Sequence, residues 1–481
     1  MAGIGFELKK IFKKNSVVSK LQGASYAAMT TIGPLILVIS TLFLMYAFLG
    51  YSNVIFASKE LLASTILYMF IFSLITASPF NSVLSRYLAD KIFENEEQHI
   101  MPAYYAGLAV NIILSAALGI VFCLWEWSIG KVDAFYVLFS YCGYIGLVFV
   151  FYNMLYISAL KEYKKITAAF VVGMFVALIL SLVMVKVFGS SVEFAVIVGF
   201  AVGFLIIGFT LYTLVKKYFK ENSRNYTEVF GYFKLHWRLI LTNTFYILGL
   251  YVHNFIFWTT SLRIVVVKSF VSAPVYDMAT CIAMFISIST MVIFIVEVET
   301  NFHDKYQNYC QTILGGTMED INYARDEMFR TIKNELFFII QLQVIFCISI
   351  FLICILILPH IGIGGLILTI LPALAVAYFV IFLMYCLVIF IYYFNVYNRA
   401  MITTAIFFGV TFFATLITKN LHPALYGLGV LLGAFAGFGY AFYSIRYIEK
   451  NLEHFIFCKG KIVKQIVDKE YGQQIFDNKE I

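Results

Sequence analysis

Charge is what this sequence lacks most. Asp, Glu, Lys and Arg make up 13% of its residues and 62% are hydrophobic, whereas a soluble domain carries about 25% charged residues. A water-facing fold cannot hide that much apolar surface, so part of the solvent must be lipid. Proline is also rare, 7 in 481 residues, which leaves long stretches free to run as unbroken helix. The eight cysteines include no CxxC pair, and their places inside apolar runs point to core packing rather than a disulfide or zinc framework. No GxxxxGK[ST] loop and no HExxH helix occur, so nothing argues for nucleotide hydrolysis, a metal, a cofactor or catalytic residues. GIGG (362–365) and GLG (427–429) lie in or beside apolar runs without a preceding strand and are weak as nucleotide fingerprints.

What is present is a succession of uncharged runs: 21–58, 61–85, 98–125, 134–160, 166–185, 194–215, 239–262, 278–296, 336–398, 400–418 and 420–445. Each reaches the ~17–25 residues a helix needs to cross a bilayer. The run 336–398 holds two such lengths, divided by PHIGIGG (359–365). The expectation is an all-α polytopic membrane protein with twelve spans. The first run is far too long for the apolar core of a cleavable signal, so it is read as part of the working protein. Placing the N-terminus in the cytoplasm puts all but six of the 34 cations on that side; the exceptions are Lys59, Lys131, Lys186, Arg263, Lys268 and Lys419. Such asymmetry is the positive-inside pattern, which sets both termini in the cytoplasm and the chain in the cell (plasma) membrane. It also accounts for the net charge of +7 without any nucleic-acid partner.

The division that follows is an amphipathic interfacial helix at 1–20, a six-helix lobe at 21–218, a cytoplasmic linker at 219–238, a second six-helix lobe at 239–447 and a cytoplasmic tail at 448–481. In the first of these, Ile4, Leu8, Ile11 and Phe12 share one side and Lys9, Lys10, Lys13 and Lys14 the other, a pattern suited to an anionic lipid surface. Ala195, Gly199 and Gly203 in span 6 are echoed by Gly429, Gly433, Gly437 and Ala441 in span 12, each a smooth face for close helix approach and a hint of a parallel repeat. EVFGYFKLHWRL in the linker reads as a short interfacial helix. The loop 298–335 reads as an ordered hairpin: Gly315 and Gly316 break it, Thr317 caps the next helix, Asp320 takes the capping-box position, and Asp326 and Arg330 pair four residues apart. Thr317, Asp320, Arg325 and Arg330 are its candidate docking residues for a soluble partner, against the plainer reading of a solvated charged face.

Inside the spans polarity is neutral. Tyr26, Thr30, Asn81, Asn111, Asn153, Asn243, Tyr246, His253, Asn254 and Trp258 are candidates to line a pathway, because amides and hydroxyls can exchange hydrogen bonds with sugar hydroxyls and rings can lie on pyranose faces. Helix-to-helix gluing is the competing role for each. Of the acids, Asp277 and Glu297 bracket span 8 and are candidates for the two mouths, against a plainer pairing with Arg263, Lys268 or Lys305. A proton- or sodium-coupled carrier would be expected to hold an ionisable group near midplane, and none is evident in this reading.

MAGIGFELKKIF, the TTIGP of the first run (Thr30 to Pro34) and ETNFHDKYQNYCQTILGGTMEDINYARDEM (299–328) resemble the PelG family, the inner-membrane transporters of Pel exopolysaccharide systems. The resemblance implies the MOP flippase and multidrug-exporter superfamily, two six-helix lobes, and outward movement of an amino-sugar polymer together with membrane lipids as its surroundings. It further implies a cytosolic glycosyltransferase partner (PelF-like) and membrane partners responsive to a cyclic dinucleotide (PelD-like). Two other functions fit the residues: a lipid-linked oligosaccharide flippase or small-molecule exporter of the same superfamily, and a non-transporting scaffold for a polysaccharide synthase.

Overall fold

The structure, a computed structural model, describes residues 33–51, 54–160, 162–293, 299–361 and 364–455. The expected amphipathic helix 1–20, Tyr26, Thr30 and Glu297 lie outside these residues, as does the tail beyond Phe455. Fourteen α-helices are described: α1 (Gly33–Phe48), α2 (Phe56–Phe93), α3 (Ile100–Ser128), α4 (Ala134–Ala159), α5 (Tyr163–Lys186), α6 (Val192–Tyr218), α7 (Glu228–Leu235), α8 (Trp237–Phe257), α9 (Pro274–Ile293), α10 (Glu299–Gly315), α11 (Met318–Ile357), α12 (Leu366–Tyr393), α13 (Tyr397–Thr418) and α14 (Leu428–Glu453). Among the described residues, ten helical segments are long and apolar enough to cross a membrane, and Gly33–Phe48 and Pro274–Ile286 are shorter apolar helices.

The packing repeats. In the first half α1 lies on α5, α5 on α6, α6 on α4 and α4 on α2; in the second, α8 lies on α13, α13 on α14, α14 on α12 and α12 on α9. The small-residue faces fit this scheme. A Cβ on Gly199 would lie 2.1 Å from Ser181 Oγ and 2.7 Å from the Ala177 carbonyl on α5, and one on Gly433 would lie 2.0 Å from Thr411 Oγ1 on α13. Each half therefore draws its last two helices together, α5 with α6 and α13 with α14, through glycine, where backbones can approach most closely.

Three features depart from the sequence reading. The first is a two-stranded antiparallel ribbon, β1 (Ile264–Val266) and β2 (Phe270–Ser272), with Val266 opposite Phe270. Its turn holds Val267 and Lys268 at positive φ, 46° and 60°. No Asn-Gly or Asp-Gly marks it, and a β-branched residue there is unusual, so the ribbon had no sequence signal. Secondly, the helix after Thr317 and span 9 are one continuous element: the 40 residues of α11 extend about 60 Å at 1.5 Å per residue, twice the hydrocarbon thickness. The third is the pairing of Asp326, which is bound by Arg325 at 2.9 Å rather than by Arg330. The capping box is formed as expected, Thr317 N–H donating to Asp320 Oδ2 at 3.0 Å and Asp320 N–H to Thr317 Oγ1 at 3.3 Å. The Thr317 hydroxyl, donating to Asp320 Oδ2 at 2.7 Å, and after it the Thr317 N–H hold the exposed Asp320 carboxyl below its ordinary pKa. The short helix expected in the linker is α7.

Candidate functional site: the seam between the two halves

Helices α2 and α8 carry the contact between the halves, and three sets of residues fasten it at different depths. In the middle, Asn243 Nδ2 donates to the carbonyl of Ser78 at 2.7 Å. The next residue is Pro79, inside α2, which cannot donate to Ile75 and so weakens the helix ladder beside the seam. Phe72 and Phe255 stack above this point, with centroids 6.1 Å apart.

At the ribbon end, Tyr68 of α2 reaches across to the second half. Its hydroxyl donates to the Val271 carbonyl at 2.7 Å and accepts from the Val271 N–H at 3.0 Å, while its ring stacks on Trp258 at 5.1 Å and 6°. Trp258 is itself fixed, its Nε1–H donating to Asp277 at 3.0 and 3.1 Å. Asn254 Nδ2 donates to the same carboxylate at 2.7 Å, and the Ala273 N–H donates to it at 2.9 Å. Asp277 is thus a buried acid, 8% exposed, bound to neutral donors; Lys305 instead pairs with Glu327 at 2.6 Å.

At the opposite end Arg86 of α2 bridges to the α12–α13 turn. Its guanidinium bonds Asp90 at 3.1 Å and Asn395 Oδ1 at 2.7 Å, and also donates to the Tyr397 hydroxyl. Tyr232 of α7 donates to Asp90, and Lys91 pairs with Glu228 of α7 at 2.9 Å. His236 packs on Tyr232, centroids 4.4 Å apart; burial and the Arg86 charge push its pKa below the ordinary imidazole value. Aromatic stacking thus fastens one end of the seam and an ionic network the other.

The remaining candidates divide by role. Asn111 donates to the Ala77 carbonyl at 3.3 Å, and Asn153 donates to Phe149 and Gly208 and accepts from Tyr104: both join helices within the first half. His253 lies buried between the Tyr276 and Tyr378 hydroxyls at 2.9 and 3.2 Å, joining helices within the second. Tyr246 stacks on Tyr385 at 4.6 Å. Asn81 differs: its Oδ1 has no hydrogen-bond partner among the described residues, and with Ser78, Ser85 and Ser158 it lines a cavity of about 270 Å³ between α2 and α4. Arg325 is drawn onto the end of α14 by Glu453, and Arg330 stands exposed on α11.

Sequence reasoning missed Tyr68, Arg86 and Glu126. Arg86 and Glu126 are each the first charged residue after an uncharged run, so they read as ordinary span ends. Glu126 is 1% exposed, its Oε1 has no hydrogen-bond partner among the described residues, and it lines a cavity of about 280 Å³ among Tyr68, Phe122, Tyr144 and Phe270. A buried polar atom left unpaired costs ~1–3 kcal/mol. Glu126→Leu should therefore raise the melting temperature of the detergent-purified protein by several degrees; a lower one would mean that the carboxyl has a stabilising partner.

Two like-packed sets of helices around a fastened seam give this chain the fold seen in transporters of the MATE type. The fold is similar to an outward-facing multidrug resistance MATE family transporter of the MOP superfamily, with TM-score 0.58 and 14% identity over 89% of this chain and 97% of that one. It is likewise similar to a mutant form of the Vibrio cholerae MATE transporter VcmN (TM-score 0.61, 10% identity, 89% and 96% covered) and to the eukaryotic MATE transporter AtDTX14 (0.59, 10%, 88% and 95%). The sequence matches none of the curated proteins. The chain belongs to the family described as "PelG: Putative exopolysaccharide Exporter (EPS-E)", which matches residues 1–457. It is a multi-pass membrane transport protein of exopolysaccharide export, not an enzyme.

Proposed function

We propose that this chain moves a Pel-like amino-sugar polymer from the cytoplasm to the exterior along the seam between its halves, in step with a cytosolic glycosyltransferase that extends the polymer. The reading adds α1 and α9 to the ten longer spans, giving twelve, with lobes 21–218 and 239–447 joined by the linker 219–238. Cation asymmetry sets the Arg86 end and both termini in the cytoplasm. The hairpin around Thr317 and Asp320, the tail and the interfacial helix 1–20 then face the side where the synthase and cyclic-dinucleotide-responsive partners would dock.

The observation that carries this reading is the seam itself: two equivalent halves, fastened at each end by a different kind of contact. Separate fastenings allow one end to open while the other stays shut, which is the requirement of alternating access. Polymerisation on the cytoplasmic side supplies a direction without a nucleotide site. Asn81, Ser78 and Ser85 offer hydroxyls and an unpaired acceptor beside the seam, weak exchangeable partners for sugar hydroxyls. Asn243 and Tyr246 join them as candidate lining groups once the seam parts; Asp277 serves the outer mouth.

The test is a strain lacking this chain, supplied with plasmid-borne variants. Loss of secreted polymer, restored by the native sequence, is expected; unchanged secretion from the deletion would reject the proposal. Asn81→Leu discriminates transport from scaffolding. Because its Oδ1 bonds nothing, the protein should accumulate normally and keep its synthase partner, while export falls several-fold.

A further inference from the structure

Where the long helix α11 passes α12 and α14, it leaves a groove of about 990 Å³. The groove is sharply divided in character. Leu383 and Leu387 form its floor, Phe337 and Ile340 of α11 one wall, and Phe438 and Phe442 of α14 the other. Towards the start of α11 the lining turns charged. The acids there are already matched: Asp326 by Arg325 at 2.9 Å, Glu327 by Lys305 at 2.6 Å and Glu449 by Arg446 at 2.9 Å. Arg330 and Lys333 are exposed, line the same end and have no ion-pair partner among the described residues. Two uncompensated cations at one end of an apolar trough fit an amphiphile with an anionic head.

We infer that this groove is a binding site for an anionic phospholipid, its phosphate between Arg330 and Lys333 and its acyl chains along Phe337, Ile340 and Phe442. The location supports the choice. α11 is the least buried of the long apolar helices, so the trough opens sideways to acyl chains, and its charged end falls where that helix leaves the apolar layer. Basic pockets between spans at this depth recognise lipid headgroups, because cations near the surface attract anionic lipid. A zwitterionic head carries no net charge and leaves both cations uncompensated, whereas phosphatidylglycerol brings them one net negative charge. A soluble anion would use the charged end and leave the apolar trough empty.

The full-length protein in dodecyl maltoside, given equal amounts of phosphatidylglycerol and phosphatidylcholine, provides the test by native mass spectrometry. Retention of phosphatidylglycerol at several times the level of phosphatidylcholine is expected. R330Q/K333Q, at two exposed positions, should equalise the two lipids. Phe337→Ser, also at an exposed position, should lower retention of both and keep the preference. Equal retention by the native protein, an unchanged preference in R330Q/K333Q, or an unchanged level in Phe337→Ser would each overturn the site. So would displacement of the lipid by glycerol phosphate alone.

Discussion

Arg86→Ala should open the end of the seam that the ionic network fastens. Its guanidinium joins Asp90 of its own helix to Asn395 and Tyr397 of the other half, and no neighbouring group can replace it: Lys91, five residues on, is held by Glu96 at 2.6 Å and Glu228 at 2.9 Å. Hydrogen bonds to a charged group contribute ~1.5–3 kcal/mol each. With the Arg86 side chain 22% exposed, solvent screening places the loss near the lower figure. At ~1.4 kcal/mol per factor of ten, the equilibrium between closed and open ends should still shift about tenfold or more. A cysteine introduced at Ser85, which lines the cavity beside this end, should react about tenfold faster with a soluble maleimide in Arg86→Ala than in the native background, and polymer export should fall. Arg86→Lys should recover only part of the closure, because a single ammonium cannot reach three acceptors in a fork. Equal maleimide rates in all three proteins would mean that this network does not hold the seam.

Gly433→Leu and Gly199→Leu should each abolish the folded transporter. At Gly433 the first added carbon meets Thr411 Oγ1 at 2.0 Å and the Thr411 backbone nitrogen at 2.8 Å; at Gly199 it meets Ser181 Oγ at 2.1 Å and the Ala177 carbonyl at 2.7 Å. Rotation of a hydroxyl cannot relieve a clash with backbone, so the helix pair must separate along its length. Overpacking a well-filled core costs ~1–3 kcal/mol when side chains can yield, and more where backbone is the obstacle. The expected readout is loss of the monodisperse peak in detergent chromatography for both variants. Gly409→Leu, on α13 with open space around it, should behave as the native protein. Normal folding of either stripe variant would contradict the close packing of α5 with α6 and of α13 with α14.

The outline of the fold was legible because membrane spans follow from one quantity, the length of uncharged sequence, and the small-residue echo between spans 6 and 12 corresponds to packing against the same neighbour in each half. The site was less legible. An amide inside a span is expensive wherever it lies, so sequence cannot distinguish Asn153, bound on three sides within the first half, from Asn81, whose carbonyl oxygen bonds nothing. Cross-half partners are hidden for another reason: Arg86 and Asn395 are separated by 309 residues, Tyr68 and Val271 by 203, and no local pattern couples such positions. Asp277 had two readings as a mouth acid or an ion-pair member; it lies buried on Asn254, Trp258 and a backbone amide.

The central claim is that polymer crosses between the halves. A photoreactive benzophenone side chain placed at Asn81, beside the seam, and in a second protein at Phe413, 66% exposed on the outer face of α13, tests it during active synthesis. Illumination should join polymer to the protein at position 81 and leave position 413 unlabelled. Labelling at 413 alone, or equal labelling at both, would place the route elsewhere.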